Sequence, residues 1–221
     1  MELTRALIER RHPHPVPLEV DRSGDVPEAQ LRRELKAMLA RAPGRERGLG
    51  VFAYGSLIWR PEVEPAAQSI GTVYGYHRRF CLHQVRSRGT PDNPCLMMAL
   101  DQGGACRSVL QWFTATDLED KIWPIWFREM RGHGYRAKFV KVHDRSGIRP
   151  ALTFVANRAG PRYVGRLPVA EVANYLACGC GPRGACAEYL LHTMTALREH
   201  GIHDHGLKVL ERTVAARLES R

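Results

Sequence analysis

Nowhere in these 221 residues does an apolar run approach the roughly 18 residues that span a bilayer, which argues against a helical membrane protein. The N-terminal MELTRALIERRHPHP lacks the apolar core of about 7–15 residues of a secretion signal, so the expected location is cytoplasmic. Cysteines number six (Cys81, Cys95, Cys106, Cys178, Cys180, Cys186), and in a reducing compartment they are expected as free thiols. Cys178-Gly-Cys180 with Cys186 and His192 lacks the Cys-x2-4-Cys spacing of a zinc site, so no metal is expected. Tyr54-Gly55-Ser56-Leu57-Ile58 lacks the second glycine of a nucleophile elbow, which argues against a hydrolase built on Ser56. Clustered charge is also missing. The net charge is +10, but Lys and Arg are spread along the chain and interleaved with acids, as in Glu28-Ala-Gln-Leu-Arg-Arg-Glu34. With no recognisable binding module, a solvated Arg-rich surface is expected, with neither nucleic acid nor membrane as a partner. Repeats and low-complexity segments are absent as well.

What is present suits one well-cored domain behind an N-terminal extension: 44% hydrophobic and 25% charged residues are ordinary for a globular chain. Residues 1–48 read as the extension. Its helix is expected over Pro27 to Arg41, where Leu31, Leu35, Met38 and Leu39 recur at helical spacing behind an Asp25 cap. A Gly- and Pro-containing linker follows, and residues 49–221 form the main domain. Strands are expected at about 50–54, 70–84, 95–100, 108–114, 137–143 and 150–156. One helix, opened by Asp117, runs through Leu118, Ile122, Trp126 and Met130 to the Gly132-His-Gly134 breaker. Helices over about 168–177, 185–200 and 204–218 complete the chain, with a turn at Gly179–Gly184. Strands followed by helices, with one helix inserted, imply an α+β fold on a small, mainly antiparallel barrel or curled sheet with flanking helices.

The break in VFAYGSLIWRP is the chemically suggestive point. A buried strand, Val51-Phe52-Ala53-Tyr54, ends abruptly at Gly55-Ser56, where successive N–H groups can converge on an anion. A plain strand-ending turn satisfies the same residues.

The order of motifs adds to this. Tyr54-Gly-Ser-Leu-Ile-Trp-Arg-Pro61, Gly75-Tyr-His-Arg-Arg-Phe80, Arg88-Gly-Thr-Pro91, Phe127-Arg-Glu129, Gly134-Tyr135, Tyr163-Val-Gly165, Gly181-Pro-Arg-Gly184 and Glu188-Tyr-Leu190 together resemble the ChaC-like γ-glutamylcyclotransferases of the glutathione-specific type. The resemblance covers about Val51 to Leu210. It implies an enzyme without cofactor that binds a small molecule, glutathione or another γ-glutamyl compound, and releases 5-oxoproline, with cysteinylglycine as the other product from glutathione. Two alternatives stand beside it: a γ-glutamyl-binding regulatory protein without turnover, and a cyclotransferase for other γ-glutamyl amines.

In such a reaction the substrate's own α-amine attacks its γ-carbonyl, so the protein need only orient, deprotonate and stabilise. Orientation falls to the N–H groups of Val51, Phe52, Ala53, Tyr54, Gly55, Ser56 and Leu57 around the substrate α-carboxylate. Glu129, the only acid between Asp120 and Asp144, is the expected base, since partial burial beside Trp126, Phe127 and Met130 favours a carboxylate that accepts protons. The family's catalytic glutamate matches this Arg-Glu pair. The alternative for Glu129 is a surface residue paired with Arg128 or Arg131. Backbone amides or the Tyr54 and Tyr135 hydroxyls are the expected oxyanion donors. Arg78, Arg79, Arg86 and Arg88 are candidates for the peptide's C-terminal carboxylate, or else exposed strand charges. Ala53 replaces the family's usual glycine, and its methyl would narrow the pocket if it faced the substrate.

Overall fold

Five successive apolar or small residues leave Leu49–Ala53 no polar face, and only a strand covered on both sides accommodates them. They form β1, buried throughout. A computed structural model describes residues 2–20 and 22–220 of the chain. The chain divides into two compact units, Ser23–Arg79 with Ala99–Pro161, and Met1–Arg22 with Phe80–Met98 and Arg162–Arg221. Two long strands, β2 (Ala67–Gln84) and β3 (Cys95–Phe113), contribute to both.

The first unit holds a closed barrel in the order β1, β3, β2, β4, β5, with β4 at Tyr135–Asp144 and β5 at Gly147–Ala156. β1 runs antiparallel to β3, with Ala53 opposite Val109, and parallel to β5, with Val51 opposite Leu152. β2 runs antiparallel to β4 and β4 antiparallel to β5, and Leu100 of β3 bridges Val155 of β5 in parallel. The fold is thus α+β on a small, mainly antiparallel barrel, as the sequence pattern suggests. β3 differs in one respect: it is continuous where two strands were expected. Gly103 and Gly104 take φ of 99° and 69°, which lets the strand kink without ending.

Three helices belong to this unit: α2 (Glu28–Ala40), the single turn α3 (Ser56–Trp59) and α4 (Leu118–Met130). α2 starts behind Pro27, not Asp25, with no side-chain cap, and packs against α4. Leu31 and Leu35 are fully buried, and with Leu39 they join Leu57, Ile122, Ile125, Trp126 and Phe154 in one core. Arg32 lies over the Trp123 ring at 4.0 Å, and the Val26 amide donates to Arg131 O at 2.9 Å. The segment ahead of the barrel therefore grips α4 at several points.

Asp144, at the β4–β5 turn, accepts from the Ser146 amide at 2.8 Å, from Ser69 Oγ at 3.0 Å and from Arg149. Burial pushes its carboxyl up, but those donors together outweigh burial and hold it below the usual carboxylate range. A group depressed in the folded state adds stability that is complete above its unfolded value, about 3.9, and is lost as pH falls through the folded one. Asp144→Asn should therefore melt below wild type at neutral pH, with the gap closing below about pH 4 in parallel thermal melts.

The second unit contains α1 (Arg5–Arg11), α5 (Val169–Cys178), a two-residue hairpin of β6 (Cys180–Gly181) and β7 (Gly184–Ala185), α6 (Cys186–Glu199) and α7 (His205–Glu219). α1 packs on α6 and α7, and α5 packs on α7. Thr4 caps α1 by accepting from the Leu7 amide. This helix escaped the sequence reading because only Leu7 and Ile8 of its seven residues are buried. A hydrogen bond with Cys186, and then burial, hold the Cys95 thiol well above the ordinary range, so it stays protonated at neutral pH. No helix among the described residues is long and apolar enough to cross a membrane.

Candidate active site

The site begins where β1 runs out of partners. Val51, Phe52 and Ala53 are buried ladder residues, and Ala53 belongs to the core cluster with Leu57 and Trp126. Beyond the ladder, Tyr54 to Leu57 turn into α3, with Gly55 at its N-cap position. The first amides of a helix have no intrahelical acceptor and point outward along its axis.

Buried side chains fix the carbonyls of this stretch. Thr153 Oγ1 donates to Phe52 O at 3.0 Å, Ser108 Oγ to Ala53 O at 2.5 Å, and Gln111 Nε2 to Leu57 O at 3.0 Å. Arg78 Nε donates to Tyr54 O at 2.7 Å, while its Nη2 donates to Arg107 O at 2.8 Å. The carbonyl and the following N–H of a trans peptide point in opposite directions. Holding Tyr54 O on Arg78 therefore aims the Gly55 N–H the other way and polarises it. Arg78 is buried at 9% exposure, and its guanidinium serves the loop's main chain. Tyr54 Oη donates to Phe154 O at 2.6 Å, which commits that proton to the barrel and corrects the expectation that it serves an oxyanion.

Glu129 stands in the last turn of α4, its side chain only 12% exposed. Its Oε1 lies 3.2 Å from Arg128 Nε, the pairing weighed in the sequence, but the pair is not on an open surface. The same guanidinium donates from Nη2 to Ser56 Oγ at 2.6 Å and from Nη1 to Arg60 O at 2.8 Å and Glu62 Oε1 at 2.6 Å. One planar fork thus connects the carboxylate of α4 to the loop after β1. Tyr135, at the start of β4, packs on the same cluster with Ile58, Phe127 and Met130. Arg128 thus ties Glu129 to Ser56, while Leu57 lies in the core cluster against which Tyr135 packs.

Arg88 lies in the other unit, where it donates to Ala185 O at 2.7 Å and pairs with Glu188 at 2.9 Å. Burial and the charge of Arg88 push His192 down, so it is neutral at pH 7. Arg79 pairs with Asp101 at 2.9 Å. The Arg86 amide donates to Gln84 Oε1 at 2.9 Å. Among the described residues no group of three or more His, Cys, Asp or Glu is placed to hold a metal ion.

The sequence reading missed Arg128 and Glu62 as parts of the site, and it gave Arg78 another task. The available signal was polar residues in otherwise apolar strands: Ser108 before Val-Leu, Thr153 inside Ala-Leu-Thr-Phe-Val, and an arginine pair after Gly75-Tyr-His.

Residues 49–217 match the family model described as ChaC-like protein. The chain belongs to the ChaC-like family. Its ChaC-like relatives include the glutathione-specific gamma-glutamylcyclotransferase of Escherichia coli K12, 32% identical over 182 residues, covering 82% of this chain and 78% of that one. The human glutathione-specific gamma-glutamylcyclotransferase 1 is 30% identical over 160 residues, covering 70% and 72%. The crystal structure of a yeast gamma-glutamyl cyclotransferase specific to glutathione superposes with a TM-score of 0.70 at 22% identity, covering 77% of this chain and 96% of that one, which establishes a shared fold.

Proposed function

We propose that this chain is a cytosolic γ-glutamylcyclotransferase that acts on glutathione and releases 5-oxoproline and cysteinylglycine. The observation that carries the reading is the Glu129 carboxylate, largely buried and tied through one guanidinium to the Ser56 loop, in a chain whose E. coli relative bears that activity in its name. The loop amides of Gly55, Ser56 and Leu57 take the substrate α-carboxylate, which folds the γ-glutamyl arm so that its amine lies over its own carbonyl. Near-attack placement of this kind supplies roughly 7–11 kcal/mol of a barrier.

Glu129 accepts a proton from the α-ammonium. The freed nitrogen forms a bond to the carbon of the γ-carbonyl, and the carbonyl π pair moves onto oxygen, where N–H donors of the loop or the Tyr135 hydroxyl stabilise it. Collapse of this intermediate re-forms the carbonyl and breaks the bond to the cysteinyl nitrogen, which takes the proton that Glu129 returns, while the ring nitrogen sheds its second proton by the same route, leaving one lactam N–H and cysteinylglycine as its ammonium. No water is consumed, and lactam closure needs no enzyme nucleophile.

The test is release of 5-oxoproline by the purified chain from glutathione, alongside a panel of γ-glutamyl dipeptides and amines. Turnover of glutathione above the rest of the panel supports the reading. Preference for a simple γ-glutamyl amine would transfer it to that substrate class, and binding without product would leave a regulatory protein.

A further inference from the structure

Glu62 has no part in the reaction as described, yet it shares a guanidinium with the base. Arg128 Nη1 lies 2.6 Å from Glu62 Oε1, and Arg128 Nε lies 3.2 Å from Glu129 Oε1. We propose that Arg128 and Glu62 are positioning residues that together set the proton affinity of Glu129, Arg128 lowering it and Glu62 restoring it. This rests on the reading of Glu129 as the base.

The physical argument concerns charge sharing. A base that must take a proton from an ammonium is weakened by an adjacent cation, because the cation favours the ionised carboxylate. A lone Arg128 would therefore hold Glu129 in place and blunt it. Glu62 brings a second carboxylate to the same fork, so the three groups carry one net negative charge. The guanidinium keeps its geometric function while much of its field on Glu129 is cancelled. All three side chains are partly shielded from water, at 18%, 30% and 12% exposure for Arg128, Glu62 and Glu129, so solvent screens their interaction incompletely.

The remaining bonds of Arg128 explain how the fork is held. Arg60 O and Ser56 Oγ accept from it as well, which fixes the plane of the guanidinium against the loop. The charged or titratable groups on the surrounding elements include Arg131 and His133 after α4, Arg60 after α3, Arg32 on α2 and the phenols of Tyr54 and Tyr135. Of these, Arg32 is placed on the Trp123 ring, Arg131 on the Phe127 ring at 5.6 Å, and the Tyr54 hydroxyl on Phe154 O. The negative end of α4 also lies beside Glu129 and acts in the same sense as Glu62.

The pair of substitutions that tests this has opposite expected signs. In Arg128→Gln the acid limb of the pH profile of kcat/KM moves up by about one unit or more, since the cation is gone. In Glu62→Gln it moves down by about half a unit, since the competing anion is gone. The carboxyl 13C resonance of Glu129, followed through the same pH range in each protein, must shift in the same directions. That measurement needs no turnover. A wild type that releases no 5-oxoproline would thus defeat the functional reading, and the resonance would still decide the tuning. If Arg128→Gln does not fold, Glu62→Gln decides alone. A purely structural role would leave the midpoint unmoved. Midpoints that coincide with wild type, or that move in the same direction in both variants, overturn the proposal.

Discussion

Glu129→Gln should lower kcat for 5-oxoproline release from glutathione by about 10²- to 10⁴-fold, the range a positioned base contributes, with KM little changed. The substitution isolates proton transfer. Glutamine keeps the length and shape of the side chain and an oxygen that can accept from Arg128 Nε, so the last turn of α4 and the fork to Ser56 and Glu62 stay in place. What is lost is the capacity to take a proton from the α-ammonium, and the ammonium has no lone pair with which to attack. A loss confined to kcat identifies an interaction made on the way to the transition state, not one made in substrate binding. Undiminished turnover in a correctly folded Glu129→Gln would remove the base assignment, whatever the loop does.

Leu35→Ala should destabilise the chain by about 2–5 kcal/mol, measured by urea unfolding with an unchanged slope. Leu35 is fully buried among residues of α2, α4 and the barrel, and truncating it removes apolar contact and leaves a cavity that the β-barrel side can fill only in part. The residue precedes the 49–217 segment that matches the family model, so the size of the effect measures how far the chain's own N-terminal segment has become part of the core. A cost below about 1 kcal/mol would mean that α2 is a dispensable attachment.

The two predictions draw on different kinds of information in the sequence. Leu31, Leu35 and Leu39 recur at helical spacing, and Leu118, Ile122 and Trp126 do the same, so α2 and α4 were legible from local period alone. The apolar run of β1 and its break at Gly55 were legible for the same reason. β3 was not read as one strand because Gly103-Gly104 looks like a turn locally, and only its neighbours in the barrel carry the strand through. α1 was too short and too charged to show a period.

The site divides similarly. Glu129 stood out as a lone acid in an apolar helix, and the family motif gave it a role. Its connection to the loop did not stand out, because Arg128 reaches Ser56, 72 residues earlier in the chain, and no local pattern encodes such a pairing. Arg78 shows the same limit. Beside Arg79 it reads as half of an exposed basic pair, but alternation along β2 turns it inward to Tyr54 O and Arg107 O, while Arg79 pairs with Asp101. An inward arginine becomes intelligible only when the carbonyls it satisfies are known.

The central claim is that the substrate's own amine closes the ring. Glutathione turned over in water enriched in 18O, with products read by mass spectrometry, tests it most directly. The account predicts 5-oxoproline without solvent oxygen, in amounts equal to cysteinylglycine. Free glutamate carrying 18O in its side-chain carboxylate would mean that water is the nucleophile and would contradict it.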